Sequence, residues 1–167
     1  MLSYRHAYHA GNHADLLKHY LLARTLAYYN EKPKPYDYID THAGAGYYDL
    51  GAAHAQKNRE YHSGIARLHA AADLPAPLAA WREQMREWQP APDTYPGSAW
   101  IAARLLPAPG KLHLFELHPT DHAALNENLR PLRLGRRLRL QRADGFAGLI
   151  ALLPPASRRA IILIDPP

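Results

Sequence analysis

The sequence predicts an α/β fold built on an open parallel sheet. Strand-like and helix-like segments alternate near both ends of the 167 residues, in the order expected of strand–helix–strand units. The last strand-like segment, AIILID at 160–165, is almost continuously apolar and rich in β-branched residues. Such strands belong to parallel sheets that are covered on both faces.

The first element is an amphipathic helix over 14–29, ADLLKHYLLARTLAYY, whose leucines follow near-helical spacing. Asn12 precedes it as the N-cap, and the breaker NEKPKP ends it. YDYID at 36–40 then predicts a short strand that runs into the glycine-bearing turn THAGAG.

The middle of the chain predicts helices alone. Apolar residues recur at helical spacing in three stretches, 56–72, 78–88 and 98–106. The tryptophans among them indicate packing rather than a partner surface. We therefore divide the chain into an N-terminal segment with the first strand and loop, a helical insertion without strands, and the continuation of the α/β domain. Their bounds are 1–47, 48–108 and 109–167.

Strands and helices alternate again after the insertion. KLHLFEL predicts a strand, PTDHAALNENL a helix, RRLRLQ a strand and ADGFAGLIALL a turn into a helix that precedes the last strand. Arginines are frequent here, at Arg130, Arg133, Arg136, Arg137, Arg139 and Arg142. They either follow the phosphates of a nucleic acid or protect an edge strand from aggregation by their charge.

The composition limits the classes of function. Lys and Arg number 20 against 15 Asp and Glu, and the net charge of +5 favours either an anionic partner such as nucleic acid or plain solubility. No apolar run is long enough to span a membrane. The absence of cysteine excludes disulfides, thiolate metal sites and thiol nucleophiles. The polar N-terminus does not resemble a signal peptide, so we expect a cytoplasmic protein that acts as a monomer.

Three histidines near the N-terminus, His6, His9 and His13, are spaced to share a helical face. Metal binding is one interpretation, but clusters of histidine without carboxylate support more often lie at the surface or face RNA. We expect no metal.

Acidic residues stand at the ends of all four predicted strands: Asp40, Glu116, Asp144 and Asp165. Helix capping accounts for one or two such acids, and a ligand site at the carboxyl ends of parallel strands accounts for all four. Gly44 and Gly46 would let the backbone approach that ligand. Asp49 stands where the dinucleotide-binding pattern requires a third glycine, which disfavours an NAD site.

Two of these acids suit a nucleoside. Glu116 is placed to accept hydrogen bonds from a ribose diol, although about seventy residues separate it from the glycine turn instead of the usual ~20. The helical insertion accounts for that separation. Asp144 and Gly145 could hold an adenine edge, so the series of strands fits a nucleoside without pyrophosphate.

The closing Asp165-Pro166-Pro167 offers a pair of hydrogen-bond acceptors. Proline has no N–H, so the Pro166 carbonyl faces outward beside the Asp165 carboxylate without a competing donor. The pair suits an exocyclic amine on a conjugated ring, because holding both hydrogens turns the nitrogen lone pair towards an electrophile. A turn that merely ends the strand is the alternative.

IDPP resembles the first positions of the (D/N/S)PP(Y/F/W) motif of S-adenosylmethionine-dependent amino methyltransferases, and DTHAGAG resembles their cofactor loop. MLSYRHAYHAGNHADLLKH, YIDTHAGAG, YPGS, ELHP, RADGF and SRRAIILIDPP follow in order along the chain. Together they closely resemble the bacterial 23S ribosomal RNA adenine-N6 methyltransferases of the RlmJ type. The resemblance implies a Rossmann-like class I methyltransferase sheet with a small helical insertion.

The resemblance also implies an activity and roles for individual residues. The enzyme would transfer a methyl group from S-adenosylmethionine to N6 of an adenine in 23S ribosomal RNA. Asp165 and the Pro166 carbonyl would hold the amine, and Tyr4 would approach the RNA. Cofactor binding would fall to Lys18, His19, His42, Gly44, Gly46, Ser98, Glu116, Asp144, Gly145 and Asp165.

The aromatic residue of the motif and the later strands of the sheet are missing after Pro167. We therefore expect that the C-terminal part of the sheet is absent from this chain and that the chain alone transfers methyl groups poorly. Two other functions stay open. They are a non-catalytic RNA-binding module and a nucleotide-dependent oxidoreductase.

Overall fold

The computed structural model describes residues 6–166. This part of the chain contains six strands: β1 (Asp37–Asp40), β2 (Tyr47–Asp49), β3 (Thr94–Pro96), β4 (Leu112–Phe115), β5 (Leu138–Gln141) and β6 (Ala160–Leu163). Four of them form a parallel sheet in the order β5-β4-β1-β6. The expected α/β fold with an open parallel sheet is confirmed.

Seven α-helices occur in the same described range: α1 (His13–Asn30), α2 (Ala53–Asn58), α3 (Ile65–Ala70), α4 (Ala76–Trp88), α5 (Ser98–Leu105), α6 (Pro119–Leu129) and α7 (Gly145–Leu152). Short 3-10 turns lie at His6–Tyr8, Glu60–Ser63, Arg130–Leu132 and Gly135–Arg137. Among these helices, none is long and apolar enough to cross a membrane.

The helix expected over 14–29 is confirmed as α1, and its N-cap is Asn12. The Asn12 side chain accepts a hydrogen bond from the backbone N–H of Asp15, which satisfies a donor that the helix leaves open. Of its leucines, Leu22 and Leu26 are buried while Leu17 and Leu21 are exposed. The leucine spacing therefore predicted the helix correctly and overstated the width of its buried face.

The expected absence of strands between 48 and 108 is wrong. β2 and β3 form an antiparallel pair in which Tyr48 lies opposite Tyr95. Three residues are too few to show an alternating pattern, and the two strands meet across more than forty residues of chain, so the pairing has no local sequence signal. The third expected helix forms as α5, but it packs against α1 and against strands β1 and β4 of the main sheet. The domain bounds at 47 and 108 stay predictions.

The insertion and the sheet share one apolar core. Trp81, Met85 and Trp88 of α4 are buried, which confirms the prediction that the tryptophans of the insertion pack in the interior. They belong to the same cluster of buried residues as Tyr38 of β1 and Leu112 of β4. The Trp88 carbonyl also accepts a hydrogen bond from the indole N–H of Trp100 in α5, at 2.6 Å.

β5 is the edge strand of the described sheet, and Arg139 on it is exposed. This position fits the interpretation of the arginines as edge protection without excluding phosphate contacts. Arg137 has a structural role instead, because its guanidinium donates to the carbonyls of Gly110 (2.9 Å) and Leu106 (2.5 Å).

Because the core is shared, removing side-chain volume from the insertion will destabilise the whole domain. Met85→Ala is expected to lower the free energy of unfolding by about 2–5 kcal/mol, as other large-to-small changes at fully buried sites do. Urea denaturation followed by both tryptophan fluorescence and circular dichroism measures it. Glu87→Ala, on the same helix with its side chain 72% exposed, is the matched control and should change the free energy by less than about 0.5 kcal/mol. A Met85→Ala loss no larger than that of the control would contradict the shared core.

Candidate functional site

A cavity of about 650 Å³ lies at the carboxyl ends of the parallel strands. Its walls come from the segments that follow β1, β4, β5 and β6, and from the N-terminal turn with the start of α1. This is where open α/β sheets bind their ligands, because the loops there diverge to either side of the sheet.

The structure brings most of the expected site residues together in this cavity. Those that line it are Lys18, His19, His42, Gly44, Ser98, Glu116, Asp144, Gly145, Asp165 and Pro166. Tyr4, expected to approach the RNA, lies outside the described residues. The cofactor and catalytic roles themselves stay predictions.

The glycine loop after β1 is shaped by Tyr48. Gly44 has φ +62°, and a Cβ added there would overlap the Tyr48 hydroxyl, which accepts a hydrogen bond from the Ala45 N–H at 3.2 Å. The Gly44 N–H donates to Glu116 Oε2 at 2.8 Å. Glycine is required at this position first by the packing of the loop on the protein itself.

Gly46 lies outside the residues that line the cavity, so its expected contact with a cofactor has no support in the geometry. Its carbonyl accepts a hydrogen bond from the Gly97 N–H at 2.8 Å, and an added Cβ would come within 3.0 Å of Leu125. Gly46 therefore holds the loop against the start of α5 and against α6, which places Ser98 at the cavity wall.

Glu116 presents a carboxylate that the backbone holds in place. Its Oε2 accepts from Gly44 and its Oε1 accepts from the His118 N–H at 2.7 Å. Each carboxylate oxygen has two lone pairs, so both oxygens can still accept a second hydrogen bond. Such a carboxylate matches a pair of neighbouring hydroxyl groups.

Asp144 and Gly145 form the part of the cavity wall that follows β5. Asp144 caps α7, since its Oδ1 accepts from the Phe146 N–H at 2.9 Å, and it also lines the cavity. A Cβ on Gly145 would overlap the backbone carbonyl of Thr41. Glycine at 145 thus allows α7 to begin in direct contact with the loop after β1.

Asp40 differs from the other acids at strand ends, because it is fully buried and does not line the cavity. It accepts from the hydroxyls of Tyr38 (2.9 Å) and Ser98 (2.7 Å) and from the His42 N–H (3.1 Å). Burial raises the pKa of Asp40, although these three hydrogen bonds oppose the rise. Asp40 therefore holds two cavity residues, Ser98 and His42, in place by hydrogen bonds.

The N-terminal wall is organised by Asp15, a buried carboxylate that the sequence did not single out. Its Oδ2 is 2.8 Å from His6 Nε2 and accepts from the Gly11 N–H at 3.0 Å, and its Oδ1 accepts from Lys18 Nζ at 2.7 Å. Burial alone would raise the pKa of Asp15, but the hydrogen bond from His6 and the electrostatic interactions with His19, His6 and Lys18 hold it well below the ordinary value.

Lys18 connects this wall to the closing motif. Its ammonium donates to Asp15 and also to Asp165 Oδ2 at 2.5 Å. Burial by itself lowers the pKa of Lys18, yet the two carboxylates raise it above the ordinary value. The cation therefore stays charged between two anions, and it holds the Asp165 carboxylate through Oδ2.

The three N-terminal histidines have three different neighbours. His6 contacts Asp15, His9 Nδ1 lies 2.8 Å from Glu60 Oε1, and His13 Nδ1 lies 3.3 Å from the Ser63 hydroxyl. Within residues 6–166, no three His, Cys, Asp or Glu side chains are grouped to hold a metal ion.

Comparison with known proteins agrees with this geometry. Residues 33–167 match the family model described as "Ribosomal RNA large subunit methyltransferase D, RlmJ". The chain belongs to the RlmJ family. A curated relative named "Ribosomal RNA large subunit methyltransferase J" from Escherichia coli (strain K12) is 48% identical over 169 residues, and one of the same name from Haemophilus influenzae is 39% identical over 170 residues.

These RlmJ relatives are longer than the chain. Each match covers 100% of this chain and 59% of the relative. The crystal structure of protein LPL1258 from Legionella pneumophila is similar with a TM-score of 0.79 and 36% identity, over 95% of this chain and 58% of that one. The chain thus spans about three fifths of the length of the relatives that it matches.

The sequence motifs that resemble the RlmJ family include cavity residues that were not predicted from the sequence to be site residues. His6 and Asp15 lie in the N-terminal run and His118 in ELHP, yet none was named as a site residue. Asp15 looked like an ordinary acid in the first turn of a helix, where the helix dipole favours it. Only its burial distinguishes it, and burial is not visible in a local pattern.

His19 gives the site a pH-dependent stability. The ring is buried with Nδ1 2.7 Å from the Tyr95 hydroxyl, and burial lowers the pKa of His19 to about 3 from 6.5. Between these values the unfolded chain binds a proton that the native chain does not. The free energy of unfolding should therefore fall as the pH drops from 6.5, by up to about 1.4 kcal/mol per pH unit from this group.

His19→Gln, which can still hydrogen-bond to Tyr95, is expected to lose that part of the slope in urea denaturation between pH 7 and pH 4. The exposed His13→Gln is the control and should keep the wild-type slope. Parallel curves for wild type and His19→Gln would show that His19 does not titrate as its burial requires.

Proposed function

We propose that the full-length protein transfers a methyl group from S-adenosylmethionine to N6 of an adenine in 23S ribosomal RNA. The observation that carries the proposal is the placement of Asp165 and Pro166 in the same cavity as Glu116 and the glycine loop. An amine-binding pair of acceptors and a diol-binding carboxylate on one cavity suit a reaction between a nucleoside cofactor and a base. Membership of the RlmJ family supports the same activity.

The cavity residues fit S-adenosylmethionine in size and chemistry. About 650 Å³ is within the range of cavities that hold ligands of this size. Glu116 would accept the ribose hydroxyls, and Asp144 would accept from the adenine amino group. When bound, the cofactor supplies an electrophilic methyl group, so the protein need only position the nucleophile.

Asp165 and Pro166 would align the target amine. Lys18 donates to Oδ2 of Asp165, so Oδ1 is the oxygen without a contact from Lys18 and would accept one N–H, while the Pro166 carbonyl would accept the other. Holding both hydrogens orients the nitrogen lone pair, and bringing the reactants together in that geometry lowers the entropic part of the barrier. The Lys18 ammonium would keep the Asp165 carboxylate in position throughout.

Cofactor binding should depend on the Glu116 carboxylate. Glu116→Gln places an amide NH₂ against one of the two backbone N–H groups that now donate to the carboxylate. It also removes a charged acceptor for the ribose, so affinity for S-adenosylhomocysteine should fall about tenfold or more in calorimetry.

Glu127→Gln is the control for the same chemical substitution, because the Glu127 carboxylate is exposed on α6 and pairs with Arg130. It should bind S-adenosylhomocysteine like the wild type. Binding of NAD without binding of S-adenosylhomocysteine would favour the oxidoreductase function instead.

Methyl transfer should depend on Asp165. Asp165→Ala removes the acceptor for one N–H of the amine, and transfer of labelled methyl to unmodified 23S ribosomal RNA should drop about 100-fold or more. Asp73→Ala, at an exposed acid in the insertion, is the control and should leave the rate unchanged. RNA binding by a wild-type protein that transfers no methyl group would indicate a binding module. The cytoplasmic location and the monomeric state stay predictions.

A further inference from the structure

Glu60 of the insertion contacts the N-terminal turn with both of its carboxylate oxygens. Its Oε1 lies 2.8 Å from His9 Nδ1, and its Oε2 accepts a hydrogen bond from Asn12 Nδ2 at 3.0 Å. Glu60 belongs to the turn between α2 and α3, about fifty residues from both partners along the chain. Both carboxylate oxygens are therefore used to join two distant segments.

Asn12 extends this contact into α1. While its NH₂ donates to Glu60, its Oδ1 accepts from the Asp15 N–H at 2.9 Å. One amide group thus caps the helix and binds the insertion at the same time. Asp15 in turn holds Lys18, and Lys18 holds Asp165, so four successive polar contacts of 3.0 Å or less lead from Glu60 to the closing motif.

The backbones of the two segments also fit directly against each other. The Ile65 N–H donates to the Gly11 carbonyl at 2.9 Å. A Cβ on Gly64 would overlap the same carbonyl, and one on Gly11, which has φ +77°, would come within 3.1 Å of Ile65. Two glycines therefore allow the close approach that brings Glu60 within reach of Asn12.

We propose that Glu60 is a positioning residue for methyl transfer, which fixes the first turn of α1 and thereby the Lys18 ammonium on Asp165. Glu60 does not line the cavity, whereas His9, Asn12, Asp15 and Lys18 do. The helical insertion then has a role in the reaction, since it supplies the anchor for one wall of the site. This inference rests on the proposed function and assigns a further residue to it.

The contact itself is tested by amide hydrogen exchange of the 167-residue chain. Glu60→Ala should speed exchange in peptides from 12–20 about tenfold, because two hydrogen bonds that hold this segment are lost. Glu60→Gln, which keeps an acceptor for Asn12, should lie close to the wild type. Glu83→Ala is the matched control, because Glu83 lies on α4 of the same insertion. Its carboxylate pairs with Arg82 and Arg86 of the same helix.

The role in the reaction is tested by the kinetics of the full-length protein. Glu60→Ala should lower kcat about tenfold with little change in the KM for S-adenosylmethionine, and Glu60→Gln should restore most of the rate. A merely stabilising residue would instead change Tm and leave kcat unaltered below the transition.

Three results would overturn the inference. These are unchanged exchange over 12–20 in Glu60→Ala, faster exchange spread equally over the core and the insertion, and an unaltered kcat despite a loosened α1. If the wild-type protein transfers no methyl group, the proposed function fails. The exchange experiment still decides in that case whether Glu60 anchors α1, so the two failures are distinguishable.

Discussion

The buried carboxylate of Asp15 is the interaction on which the rest of the site depends. A buried anion is costly unless hydrogen bonds and opposite charges surround it, and Asp15 has both in His6, the Gly11 N–H and Lys18. Those partners come from before the helix, from its entrance and from its second turn. The contacts that stabilise the Asp15 carboxylate therefore hold the N-terminal turn against α1. They also direct Lys18 towards Asp165, and together these segments form one wall of the cavity.

Another part of the cavity wall depends on close approach between segments of the chain. Gly44 and Gly145 each occupy a place where a Cβ would overlap a neighbour, the Tyr48 hydroxyl in one case and the Thr41 carbonyl in the other. Their role is to bring the loops after β1 and β5 together so that Glu116 and Asp144 face a single cavity. Glycine in a ligand-binding loop is usually explained by approach to the ligand, but here the protein's own packing requires it first.

Sequence patterns found the sheet and most of the cavity because both follow from local rules. Apolar, β-branched runs mark buried parallel strands, and acids at their ends converge at one edge of the sheet, so Glu116, Asp144 and Asp165 could be named together. The same rule failed for Asp40, which points into the core and holds Ser98. It also missed β2 and β3, whose pairing is set by contacts distant in sequence. Gly46 packs against Gly97 and Leu125, and its contact with a cofactor stays a prediction.

The sequence by itself determined the α/β class, the N-cap at Asn12, the strands of the parallel sheet and the membership of a methyltransferase family, because each rests on residue type and spacing along the chain. Only the tertiary structure decided which polar groups are buried and what they contact. Asp15 is buried at the start of α1, the buried His19 ring is neutral, and Glu60 contacts Asn12 and so joins the insertion to α1. The reason is physical: the energy of a charge depends on the solvent and partners around it, and these are set by segments that meet only when the chain has folded.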